Sequence, residues 1–139
     1  MARVWSEERK LELWFEVELA ALDAWAELGV VPQPAATAIR AQAVVPTPER
    51  IAEIERETGH DLAAFVDAVG ESLDEDGRRW LHYGLTSSDI LDTTLALQVR
   101  DAGGLLLDGL ARAFAAVVAR AEEHRETLII GRKIGRAHV

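Results

Sequence analysis

Residues 88–121 read SDILDTTLALQVRDAGGLLLDGLARAFAAVVARA, and this stretch decides the fold. Leu91, Leu95, Val99, Ala102, Leu106, Leu110, Ala113, Val117 and Ala121 are spaced 4, 4, 3, 4, 4, 3, 4 and 4 residues apart. Eleven residues per three turns is close to the period of a straight α-helix. Leu97, Leu105, Leu107, Phe114 and Val118 broaden the apolar stripe. A helix apolar on more than one side must be covered by partner helices. From Leu91 to Ala121 it spans about 45 Å at 1.5 Å per residue, and no other segment of the chain is long enough to cover it. The distal half, Leu105 to Val118, is expected to stay uncovered by residues 1–85. Gly103, Gly104 and Gly109 each weaken a helix by about 1 kcal/mol relative to alanine, or permit close approach or a bend.

Upstream, the punctuation is also helical. Ser6 is a good N-cap and Glu7 and Glu8 suit the positive end of a helix. Leu11, Trp14, Phe15, Leu22 and Trp25 recur at helical spacing until Gly29. Pro32 and Pro34 mark an extended linker, and a short helix is expected over Ala35–Ala43. Thr47-Pro48-Glu49 is a start signal of cap, N1 proline and acid, and that helix should stop at Gly59. Asp61 is expected to cap the next helix, and Asp74-Glu75-Asp76-Gly77 to form a polar turn. No segment alternates with period 2, so the expected class is all-α. The expected domains are an N-terminal helical domain over 1–87 and the first long helix of a bundle over 88–132.

The chain has 139 residues, 49% of them hydrophobic and 28% charged, a globular balance. It has no cysteine, which excludes disulfides, thiolate metal sites and cysteine nucleophiles. A net charge of −9 without a Lys/Arg run argues against nucleic acid as a partner. The longest uncharged run, Leu28 to Ile39, is too short to span a bilayer. No secretory h-region opens the chain, so a cytoplasmic location without membrane partners is expected.

Three segments could carry chemistry. Gly59-His60-Asp61 reads either as helix stop, loop histidine and cap, or as part of a site. His82-Tyr83-Gly84-Leu85-Thr86-Ser87-Ser88-Asp89 reads either as helix caps or as an anion site, where backbone N–H groups and hydroxyls converge at a helix start. His124 reads as a cation favoured near a helix C-terminus. No metal-ligand spacing, Gly-rich phosphate loop or nucleophile elbow is present, so no cofactor and no metal are expected.

Several of these residues carry a family resemblance. Trp5-Ser6-Glu7-Glu8, Glu16-Val17-Glu18, Ala24–Gly29, Ile51–Glu55 with His60-Asp61 and Phe65, and above all His82–Ile90 with Asp92-Thr93 resemble the adenylosuccinate lyase family of the fumarase/aspartase superfamily. The resemblance implies β-elimination of fumarate from adenylosuccinate, giving AMP, and from the succinylated carboxamide ribotide of purine biosynthesis. It implies a homotetramer whose active sites combine three subunits. By the motif, Thr86 and Ser87 bind the substrate's carboxylate end. His60 and Asp61 lie at its nucleotide part, with Gly59 contributing through its backbone. His82, Ser88 and Asp89 stand near the site.

The general acid histidine and the catalytic serine of the family are expected to lie beyond this sequence. Glu123–Arg132 fits the run into a G-R-T-H-G motif, after which the tail 133–139 departs and reads as non-native. A truncated, inactive fragment is therefore expected. The alternatives are another superfamily lyase, a cycloisomerase, or a non-catalytic helical oligomerisation module.

Overall fold

The computed structural model describes residues 1–130; Gly131-Arg132 and the tail 133–139 lie outside the described residues. Six α-helices follow a 3-10 turn over Ala2–Trp5: α1 Glu7–Glu27, α2 Gln33–Gln42, α3 Pro48–Thr58, α4 Asp61–Gly70, α5 Glu75–Arg78 and α6 Ser87–Glu123. No strand occurs among the described residues, and the all-α class holds.

Local chemistry sets most boundaries. Ser6 accepts a hydrogen bond from the Arg9 N–H and Thr47 accepts one from the Arg50 N–H, each opening its helix as expected. Gly59 ends α3 in the left-handed region at φ 65°, where a side chain would be strained. Three expectations need correction. Pro34 is not part of the linker but the second residue of α2, where a proline's missing N–H costs no helical bond. The cap of α4 is His60, not Asp61: the His60 ring accepts the Ala63 N–H, while Asp61 is already the first helical residue. The acidic segment is not a plain turn, because Asp74 caps the single helical turn α5 by accepting the Gly77 N–H at 2.7 Å.

Contacts divide the chain into two units, with the break in α6 between Ala102 and Gly103. The first unit holds the core. Trp14 of α1 meets Phe65 of α4 edge to face, with ring centroids 5.4 Å apart. Leu22, Val31, Ile39, Leu62, Val69 and Ile90 are buried with them. Removing a ring such as that of Phe65 would cost about 3–5 kcal/mol. At the surface, Arg40 of α2 forks onto the Asp23 carboxylate of α1 through two nitrogens.

Helix α6 forms where its pattern places it, but it buries only part of the expected stripe. Its buried residues are Ile90, Thr94, Gln98 and Ala102, of which Ala102 alone belongs to the stripe, while Leu91 packs partly buried against the core. Leu95 and Val99 are exposed instead. The choice works because Gln98 Nε2 donates to the Val4 carbonyl at 2.8 Å, which satisfies the buried amide group. Thr94 Oγ1 is buried without a hydrogen-bond partner among the described residues.

In the second unit, Leu105, Leu106, Leu107, Leu110, Phe114, Val117 and Val118 are all exposed, as expected of the distal half. A Cβ at Gly103 or Gly104 would meet nothing within 4 Å, so these glycines serve no close approach among the described residues. By length and composition, α6 is apolar enough to cross a membrane, although its uncharged runs are short. Asp101, Asp108 and Arg112 interrupt it, and each would cost about 2.5–3.5 kcal/mol at a bilayer centre.

Candidate functional site

The site forms where the start of α4 meets the loop before α6. An open cleft of about 380 Å³ is lined by His60, Leu62, Ala63, Val66, Asp67, His82, Leu85, Thr86 and Ser87. Four residues singled out from the sequence, His60, His82, Thr86 and Ser87, therefore share one cavity although 27 positions separate the first from the last. Gly59, Asp61, Ser88 and Asp89 are not part of its lining. Gly59 turns the chain ahead of His60.

The start of α6 is a reciprocal cap. Asp89 Oδ2 accepts the Thr86 N–H at 2.8 Å, and the Asp89 N–H donates to the Thr86 carbonyl at 3.0 Å. Asp89 thus has a structural task. Among the described residues the hydroxyls of Thr86, Ser87 and Ser88 take part in no hydrogen bond, so those of Thr86 and Ser87 are free at the cleft.

The two cleft histidines are held differently. His60 Nδ1 accepts the Ala63 N–H at 3.3 Å, so in the neutral ring the proton sits on Nε2. His82 lies in the left-handed region at φ 58°, unusual for a residue with a Cβ. Both of its nearby polar groups reach Glu18 of α1. The His82 N–H donates to Glu18 Oε2 at 3.2 Å, and Nδ1 lies 2.6 Å from Oε1. The Glu18 side chain is 1% exposed. Burial pushes its carboxyl above the ordinary range, and the hydrogen bonds and charge of His82 pull it part of the way back.

Glu18 was not among the site residues expected from the sequence. The signal was present: Glu18 stands four residues from both Trp14 and Leu22, in the middle of the buried stripe of α1. An acid in that position has to be paired.

An aromatic group braces the loop from behind. Tyr83 contacts the rings of Trp25 and Trp80 at centroid distances of 5.8 and 5.3 Å. Gly84, at φ 70°, passes directly against the Trp25 indole. Among the described residues, no three His, Asp or Glu side chains are grouped so as to hold a metal ion. The arrangement offers hydroxyls, imidazoles and a helix start to an anionic ligand. His124, outside this cleft, lies 3.1 Å through Nδ1 from Thr127 Oγ1 just past the end of α6.

The all-helical chain that carries this cleft resembles a class of lyases. The chain belongs to the lyase family, whose model, described as "Lyase", matches residues 1–137. Its sequence relatives include the adenylosuccinate lyases of Bacillus subtilis (strain 168) and Synechocystis sp., each 43% identical over 135 residues. That of Streptococcus mutans is 42% identical over 135 residues. These alignments cover 97% of the chain and 31% of each relative, so the chain spans about a third of their length. Among solved structures, a fumarate lyase from Mesorhizobium sp. BNC1 superposes with a TM-score of 0.86 at 30% identity, covering 95% of this chain and 31% of that one. The β-carboxy-cis,cis-muconate cycloisomerase of Acinetobacter calcoaceticus sp. ADP1 gives 0.79 at 27% identity, covering 95% and 32%.

Proposed function

We propose that this chain supplies part of the active site of an adenylosuccinate lyase, which releases fumarate from adenylosuccinate and from the succinylated carboxamide ribotide. The observation that carries the reading is the shared cleft: His60, His82, Thr86 and Ser87 converge there from two separate segments. β-Elimination begins with loss of a proton beside a carboxylate. Charge then spreads onto that carboxylate, and donors aimed at it stabilise the transition state. The free hydroxyls of Thr86 and Ser87 at the start of α6 suit that task. His60 and Asp61 would face the nucleotide part, and Gly59 would contribute its backbone. His82 stands beside the reacting end. In this reading residues 1–87 act as the amino-terminal domain, and the segment 88–132, which carries most of α6, opens the central bundle of a cytoplasmic homotetramer. The general acid and base come from elsewhere in the complete enzyme, and no cofactor is needed.

The test extends the chain through the remaining length of its relatives and follows fumarate release from adenylosuccinate. Ser87→Ala should lower turnover at least tenfold more than Ser88→Ala, because only Ser87 lines the cleft. Equal effects would overturn the assignment of the motif. The 139-residue chain alone should release no fumarate above background. A second reading, another fumarate lyase or a cycloisomerase, is favoured by the two structural neighbours. It would replace the first if the extended enzyme left adenylosuccinate intact but acted on a related dicarboxylate.

A further inference from the structure

His82 has one ring nitrogen committed and one left over. Nδ1 is 2.6 Å from Glu18 Oε1, and the other oxygen of the same carboxylate receives the His82 N–H. A backbone N–H is always a donor. An ionised carboxylate is acceptor-only and can serve both donors at once. Its partner Nδ1 must then carry a proton, and Nε2 is the nitrogen left to the cleft that His82 lines. His60 is arranged in the opposite sense, with Nδ1 accepting the Ala63 N–H and Nε2 bearing the proton. In their neutral forms the two imidazoles of this cavity thus differ at Nε2, an acceptor in His82 and a donor in His60.

We propose that the buried Glu18 is the positioning residue of the site: ionised, it keeps the proton of His82 on Nδ1 and turns Nε2 toward the ligand. In the neutral ring Nε2 is then an acceptor, suited to an N–H or O–H donor of the ligand, while His60 supplies a donor to an anionic oxygen. Glu18 itself is too buried to touch the ligand. Among the described residues, Glu18 of α1 is hydrogen-bonded to His82, and His60 and Asp67 are the other titratable groups that line the same cleft. The role assigned to the ligand rests on the proposed lyase reading; the proton placement does not.

The carboxylate is chemically necessary for this arrangement. Glutamine at position 18 has one oxygen and one NH2 group. Its oxygen must take the fixed His82 N–H, which turns the NH2 toward Nδ1 and requires a lone pair there. Glu18→Gln should therefore move the neutral-ring proton of His82 from Nδ1 to Nε2.

The test is nitrogen-15 NMR of the full 139-residue chain at mildly alkaline pH, reading long-range couplings from the ring carbon protons. In the wild type, His82 Nδ1 should be protonated, whether or not Nε2 also is. In Glu18→Gln, Nδ1 should lose its proton, while His60 and His124 keep their wild-type patterns. An unprotonated Nδ1 in the wild type overturns the proposal, and so does a protonated Nδ1 in a folded Glu18→Gln. If the variant does not fold, the wild-type spectrum alone decides. Failure of fumarate release by the extended enzyme, with His82 as stated, would count against the lyase reading and leave Glu18 in its role.

Discussion

Gly84 lies so close to Trp25 that a Cβ added to it would sit 2.9 Å from the indole Cζ2 atom. Real Cβ contacts are not that short, and the residue also has φ 70°. Gly84→Ala would combine left-handed strain with a ring that must move, and should destabilise the protein by about 2–4 kcal/mol. Gly103 is the opposite case, a helical glycine with open space around it. Gly103→Ala should stabilise α6 by about 0.5–1 kcal/mol. Urea unfolding followed by tryptophan fluorescence measures the first. Amide exchange along α6 measures the second.

His60 has two separable tasks, capping α4 and lining the cleft. His60→Ala loses the cap and should cost about 0.5–1 kcal/mol in urea unfolding. Asparagine caps at least as well as histidine, so His60→Asn should unfold at or above the wild-type midpoint while still removing the imidazole. If both variants are equally destabilised, the ring matters to stability by something other than its cap.

The buried carboxyl of Glu18 gives a signed pH effect. Burial raises it above its ordinary 4.5, with His82 opposing, so the folded state holds that proton more tightly than the unfolded chain. Its contribution to stability is therefore fully present below pH 4.5 and is lost as pH rises through the raised folded value. Glu18→Gln has no such titration. The stability of the wild type relative to this variant should fall as pH rises from 4 upward, read from urea midpoints at several pH values. A difference that grows with pH would show that His82 lowers the carboxyl more than burial raises it.

Leu106, Leu110 and Val117 share the rhythm of α6, and each is about two-thirds exposed. Apolar surface of this extent favours association. Light scattering coupled to size exclusion should show the chain as an oligomer. Leu106→Glu combined with Leu110→Glu should return it toward a monomer. A monomeric wild type at tens of micromolar would contradict the expectation.

The sequence was most readable where a structural event is decided locally. Ser6, Thr47-Pro48 and Gly59 each act through neighbours within four residues, and each does what its chemistry suggests. From the motif before α6, His82, Thr86 and Ser87 meet His60 in one cleft, while Gly59 and Asp61 do not line it. What escaped was set at long range. The left-handed turn at His82 is held by Glu18, 64 positions away, and no local rule signals it. On α6 hydropathy favours Leu95 and Val99, whereas contacts within the first unit select Thr94 and Gln98. Aspartate has the stronger capping tendency in general, yet at α4 the cap is His60 and Asp61 is the first helical residue.

The bond between Gln98 and the Val4 carbonyl has a consequence in time. Synthesis runs from the amino end, so Gln98 is added 94 residues after Val4. The core of α1 to α4 is made before α6, whose Ile90 completes it. The opening turn, by contrast, must wait until α6 has been made and has left the exit tunnel. The turn at Ala2–Trp5 is thus made well before the residue that holds it, and it acquires that neighbour only with α6.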